Sequence, residues 1–213
     1  VANKDWWDKK EYNFDKVVLS PIVSDATRVA ALMSGELDLI TPLPPQDVPR
    51  VKENKDFQII QTPDARVVYL GMDQWREELP SSNVKGKNPL KDVRVRQAFA
   101  HAINMDVIAD KILQGAGDPL FAMIPPQANG WIPEFKKRPA PDMASAKKLL
   151  ADAGYPNGFS IGMDCPSDGL ANMGEPVCVA VAGMLARIGV KVDVQLQKEA
   201  AYAGKIGRRD TDF

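Results

Sequence analysis

The sequence predicts an α/β (α+β) fold with mixed sheets flanked by helices. Three observations support this prediction. Apolar, β-branched runs and segments with helical periodicity alternate along the chain. Residues that start and stop helices stand at the borders of the helical segments. With 213 residues, 45% of them hydrophobic, the chain is long enough to bury a substantial core.

The individual elements follow from local pattern. Strands are predicted at residues 17–22, 37–40, 57–61, 66–72, 159–163 and 190–196. Helices are predicted at residues 25–33, 46–53, 92–103, 106–113, 142–153, 176–188 and 198–209. Because the first two strands flank the first helix, residues 17–40 are predicted to form a β-α-β unit.

Capping residues define the borders of several helices. Ser24 or Asp25 is expected to cap the first helix, and Gly35 closes it. Asp92 is placed to cap the helix that begins after it. Gly154 is the stop signal of the helix predicted to start at residue 142.

Two longer segments lack periodicity. Residues 81–88 form a polar loop that contains Gly and Ser, and we predict that this loop is mobile. Residues 120–141 carry five prolines and are predicted to form an ordered excursion over the surface.

The composition excludes several classes of function. The formal net charge is −1 and no basic run is present, so no nucleic-acid partner is expected. No apolar run approaches the roughly 20 residues that cross a bilayer. His101 is the one histidine, and the residues three and four positions from it offer no carboxylate or thiol. We therefore expect no enzyme, no metal site and no cofactor.

The chain has two cysteines, Cys165 and Cys178. A disulfide between them would close a short loop. Two buried free thiols are the alternative, as expected for a protein in a reducing compartment. The residues alone leave both alternatives open, because the choice depends on whether the protein is exported.

The segment 164–172 has the position of a binding site. It leaves the strand predicted at 159–163 and precedes the helix predicted at 176–188. Open α/β sheets bind ligands beyond the carboxyl ends of their strands. The candidate ligand-binding residues of this segment are Asp164, Pro166, Ser167, Asp168 and Asn172. An ordinary surface turn is the alternative.

Six segments of the chain resemble one protein family. Residues 92–103, Asp-Val-Arg-Val-Arg-Gln-Ala-Phe-Ala-His-Ala-Ile, resemble the "D-x-R-V-R-Q-A-x-x-x-A-I" signature of family 5 extracytoplasmic solute-binding proteins. Residues 144–155 resemble that family's "A-K-x-L-L-x-E-A-G-Y" pattern. The other segments that resemble it, in the family's order, are residues 3–7, 25–38, 115–126 and 182–192.

The resemblance implies a fold and a function. The fold is a fragment of a periplasmic-binding-protein-like type II lobe, with residues 1–65 in the split first lobe. Residues 66–213 would form the second, ligand-clamping lobe, incomplete at its C-terminus. The function implied is the substrate-binding component of an ABC transporter. It would capture peptides or a related small solute outside the cytoplasmic membrane and deliver them to the permease subunits in that membrane.

The implied location is the periplasm, or another extracytoplasmic, membrane-associated place. The family pattern begins midway at Asn3 and no signal peptide is present, so we expect a piece of a longer secreted protein. The alternative function is a binding or scaffold module on the same fold, chaperone-like or adhesive, without a role in transport.

The resemblance also implies residue roles. An exported family favours the disulfide between Cys165 and Cys178. It places ligand contacts in the 164–172 segment and makes Trp131 a candidate residue of the cleft. Gly169 stands where some dipeptide-binding members have an Arg that holds the ligand carboxylate, so a solute is implied but not specifically a dipeptide. Asp212 resembles the start of a "D-x-x-x-x-G-W" stretch that precedes the Asp bound to the ligand α-amino group in peptide-binding members.

Overall fold

The structure is a computed structural model that describes residues 3, 5–8, 13–62, 64–136, 140–167 and 174–213. The chain divides into two compact units, Val1–Leu43 and Pro44–Phe213. The predicted boundary near residue 65 concerns the two lobes of a binding protein, and it stays a prediction.

The first unit contains helix α1 (Asp25–Met33). The Ser24 hydroxyl caps it by accepting a hydrogen bond from the Thr27 N–H at 3.3 Å. Beyond the C-terminus, Gly35 adopts φ = +78°, a conformation that favours glycine. The helix predicted at residues 25–33 and its two border signals are therefore confirmed.

Four predicted strands are absent from the described part of the chain. They are residues 17–22, 37–40, 57–61 and 66–72. A strand requires ladder hydrogen bonds to a neighbour, and the sheet of the described residues holds two other segments. Leu19 and Ile60 are 88% and 81% exposed. The predicted β-α-β unit at residues 17–40 is thus wrong, because an apolar pattern does not by itself supply a pairing partner.

The second unit contains the remaining described helices, each of which overlaps a predicted one. They are α2 (Val48–Glu53), α3 (Val93–Ala102), α4 (Met105–Val107, continued by a π-helical turn at Ile108–Ile112), α5 (Met143–Asp152), α6 (Gly174–Ala186) and α7 (Glu199–Gly207). Short 3-10 turns lie at Pro45–Asp47, Pro89–Lys91 and Pro133–Lys136. The last of these lies in the predicted excursion 120–141, of which residues 137–139 are outside the described chain.

The sheet consists of two parallel strands, β1 (Phe159–Pro166) and β2 (Val190–Gln197). In their register Phe159 lies opposite Val190 and Pro166 opposite Gln197. Helix α6 connects the strands and packs against both. The chain therefore does contain a β-α-β unit, formed by β1, α6 and β2.

The hydrophobic core lies between this unit and helices α3 and α5. The Phe99 ring on α3 is fully buried, 6.3 Å from the Phe159 ring and 5.7 Å from the Phe213 ring. Leu150 on α5 and Leu185 on α6 are buried in the same cluster. Aromatic and aliphatic burial of this kind is the main stabilising contribution to a domain of this size.

The segment 81–88 is held against β1. The Asn83 N–H donates to the Ser160 carbonyl at 3.2 Å, and the Ser160 N–H donates to Asn83 Oδ1 at 2.7 Å. The Ser81 N–H donates to Asp212 Oδ2 at 3.0 Å. The prediction of a mobile loop is wrong, because the polar residues of this segment satisfy backbone groups on the second edge of β1.

Asp212 is the most deeply buried carboxylate of the described residues, with 1% exposure. Its Oδ1 has no hydrogen-bond partner among those residues. Burial raises the pKa of Asp212 above its ordinary value, against the lowering effect of Ser81, Gly162 and Arg76. A Cβ on Gly162 would lie 2.7 Å from Ser81 Oγ, so this close approach of the segment 81–88 to β1 requires glycine.

We expect Gly158→Ala to lower the free energy of unfolding more than Gly86→Ala does. Both glycines have left-handed φ values, +72° and +71°. A Cβ on Gly158 would lie 1.8 Å from the Gly189 carbonyl oxygen, whereas a Cβ on Gly86 would meet nothing within 4 Å. Gly86→Ala should cost about 1–2 kcal/mol from backbone strain alone, and the collision should add about 1–3 kcal/mol. Urea denaturation measures both, and equal losses would contradict the collision.

We expect Asp212→Asn to become more stable relative to the wild type as the pH rises from 3 to about 7. Burial raises the pKa of Asp212 in the folded state above 3.8. The stabilisation from its bound proton is therefore complete below pH 3.8 and is lost as the pH rises through the folded-state pKa. The amide does not titrate, and each pKa unit corresponds to about 1.4 kcal/mol. Urea denaturation at a series of pH values tests this, and a difference independent of pH would contradict it.

Candidate ligand-binding site

The carboxyl ends of β1 and β2 lie side by side. The two strands are parallel, and their last residues, Pro166 and Gln197, face each other in the register. One residue further, the Ser167 N–H donates to the Gln197 carbonyl at 2.7 Å. This edge is where open α/β sheets bind ligands, because the loops that follow the strands meet there.

Asp164 is the charged centre of this edge. Its residue exposure is 9%, and its Oδ1 accepts hydrogen bonds from Lys205 Nζ at 2.6 Å and from Gln197 Nε2. The Lys205 side chain keeps 25% of its surface exposed, against 6% for that of Asp164. The carboxylate is therefore neutralised within the protein, and the lysine is the more accessible member of the pair.

The predicted disulfide is confirmed. Cys165 on β1 and Cys178 on α6 are bonded, and their Cα atoms are 6.5 Å apart. The bridge closes the connection that runs from the end of β1 into α6. It therefore ties the end of β1 to the first part of α6.

The structure places the other candidate residues as follows. Pro166 and Ser167 are half-buried at the end of β1. Asp168 and Asn172 lie outside the described residues, as does Gly169. Trp131 is half-buried in a loop, where its backbone N–H donates to the Ala128 carbonyl at 3.3 Å.

Among the described residues, no hydrogen bond or ion pair links Trp131 to Asp164. The roles of all six candidate ligand residues stay predictions.

Sequence reasoning missed Gln197 and Lys205. Gln197 is the last residue of β2, directly after the strand predicted at 190–196. Lys205 lies within α7, which packs against β1. The parallel register of a β-α-β unit would have placed Gln197 beside the end of β1, but no sequence signal placed Lys205 there.

The described residues contain no group of three or more His, Cys, Asp or Glu side chains arranged to hold a metal ion. Within the same ranges no helix has the length and apolar character needed to cross a membrane.

A parallel β-α-β unit with a polar cluster beyond its strand ends is typical of an α/β ligand-binding lobe. Comparison with known proteins shows to which family of binding proteins the chain belongs. A family model described as "Bacterial extracellular solute-binding proteins, family 5 Middle" matches residues 1–213. The chain belongs to this family, as the six segments of the sequence predict. The fold is that of a type II periplasmic binding protein.

Curated relatives agree with this assignment. The dipeptide-binding protein of Escherichia coli is 34% identical over 73% of this chain and 27% of that protein. Heme-binding protein A of Haemophilus influenzae is 33% identical over 75% of this chain and 27% of that protein. The chain thus spans about a quarter of the length of these relatives.

A solved structure extends the likeness to the fold. It is the periplasmic binding protein DppA from Helicobacter pylori in complex with the peptide STSA. The TM-score is 0.76 at 28% identity, over 99% of this chain and 38% of the other. The likeness therefore covers the whole of this chain and a minor part of the neighbour.

We expect the double variant Cys165→Ala, Cys178→Ala to lose about 3 kcal/mol of unfolding free energy, because the bridge restricts the unfolded chain across a separation of 13 residues. Urea denaturation measures the loss. Dithiothreitol should lower the stability of the wild type by a similar amount and leave the double variant unchanged. An equal effect of the reductant on both proteins would contradict a stabilising bridge.

Proposed function

We propose that the chain is the middle part of the substrate-binding component of an ABC importer. The observation that carries the proposal is the family match over all of residues 1–213. Relatives named as binding proteins for dipeptides, heme and glutathione support it. In this function the protein performs no chemistry. It captures a solute outside the cytoplasmic membrane and delivers it to the permease subunits.

The solute class we propose is a peptide or a related small molecule. The dipeptide-binding relative from Escherichia coli and the peptide complex of the Helicobacter pylori protein support it. A neighbour solved with agropinic acid, at 26% identity and a TM-score of 0.65, supports keeping opine-type solutes within the class. The described part of the site contributes polar groups at strand ends, which suit a ligand with hydrogen-bonding termini.

Capture would involve two lobes. We propose that residues 1–65 contribute to the split first lobe and residues 66–213 to the second, which clamps the ligand. Binding would proceed by hinge closure of the lobes around the solute, and the closed form would dock on the permease.

Calorimetric titration of the full-length protein tests the proposal. We expect micromolar binding of di-, tri- or oligopeptides, because the polar groups of the cleft lose solvent and need a matched partner. Sugars and opines form the comparison set. Binding of one of these in place of peptides would keep the transport function and change the solute. An absence of binding to all of them would favour the scaffold module.

A further inference from the structure

The cluster at the carboxyl end of the sheet joins three separate elements. Asp164 comes from β1, Gln197 from the end of β2 and Lys205 from α7. Gln197 Nε2 and Lys205 Nζ both donate to Asp164 Oδ1, and the distance from Lys205 Nζ to this oxygen is 2.6 Å. The Ser167 N–H donates to the Gln197 backbone carbonyl at 2.7 Å. This bond fixes the backbone that carries the side-chain amide of Gln197. The cluster is therefore held in place from three sides before any ligand arrives.

Lys205 is the member of this ion pair that keeps more of its surface exposed to a ligand. Asp164 is nearly buried and its charge is already engaged by two donors. Lys205 carries three N–H donors on its ammonium group, and among the hydrogen bonds and ion pairs of the described residues its contact is with Asp164. A quarter of its side chain is exposed, and the bond to Asp164 leaves two of the three N–H donors for a second acceptor.

A hydroxyl donor lies one helical turn before Lys205. Tyr202 is on the same face of α7, three residues earlier. Burial raises the pKa of the Tyr202 phenol above its ordinary value of 10.0, with further contributions from Tyr69 and Asp164. The phenol thus keeps its proton at neutral pH and adds a second donor to this face.

We infer that Lys205, oriented by Asp164 and Gln197, recognises a carboxylate of the solute at the carboxyl end of the sheet. This inference rests on the proposed function and names the ligand group that this part of the site selects. The carboxylate is the C-terminus of a peptide or an acidic side chain. Lys205 is then a specificity-determining residue, and Asp164 is a positioning residue that acts through it.

The test is calorimetric titration of the full-length protein with three probes: trialanine, trialanine amide and Ala-Glu-Ala amide. We expect at least one carboxylate-bearing probe to bind about tenfold more tightly than trialanine amide, as a charge-assisted hydrogen bond would give. Lys205→Met should remove this preference, and Lys205→Arg should keep it. Lys191→Met is the matched control, because Lys191 is exposed near the opposite end of β2, and it should leave the preference unchanged.

The outcomes separate the two proposals. Tighter binding of trialanine identifies the C-terminal carboxylate, and tighter binding of Ala-Glu-Ala amide identifies an acidic side chain. If the wild type binds all three probes equally, or Lys205→Met keeps the preference, the inference about Lys205 is wrong and peptide capture stands. If Lys205→Met weakens the binding of all three probes by the same factor, Lys205 only fastens α7 to β1 and the inference is wrong. If no probe binds, peptide capture fails, and the inference fails with it.

Discussion

The structure depends on the pairing of both edges of β1. This strand is buried along most of its length, and buried backbone N–H and C=O groups need hydrogen-bond partners. β2 satisfies one edge in parallel register. On the other edge, Asn83 exchanges hydrogen bonds with Ser160, and the Ser82 hydroxyl donates to the Ser160 carbonyl at 2.9 Å. A two-stranded sheet is marginal by itself, so this polar covering is what allows β1 to be a central strand.

The same pairing determines the geometry of the candidate site. With both of its edges held, β1 ends at a fixed place, and the disulfide fixes the start of the connection that follows. Gln197 reaches Asp164 because β2 runs parallel to β1 and ends beside it. Helix α7 follows β2 and packs back on β1, which brings Lys205 to the same carboxylate. The polar cluster is thus a consequence of topology.

The sequence predicted those features whose signals are local. Asp92 does cap α3, because a cap depends on residues two or three positions away. Gly154 does follow α5 with a left-handed φ of +93°. The disulfide and the family followed from resemblance. Local signals could not decide whether residues 57–61 and 66–72 form strands, because a strand requires a partner that its own residues do not specify. The Lys205–Asp164 pair joins residues 41 positions apart, and no periodicity reports such a distance.

A contribution to the stability of the fold does not explain why Lys205 and Asp164 form an ion pair at this place. Removing two charges from water is costly, and well-packed apolar residues in place of a buried ion pair are often neutral or stabilising. The pair is also asymmetric, since Asp164 is nearly buried while Lys205 remains partly exposed. An ion pair that served only to fasten α7 would gain nothing from this partial exposure of the lysine side chain. A preorganised cation at the strand ends does have a physical use, because a ligand carboxylate then meets a donor that is already oriented.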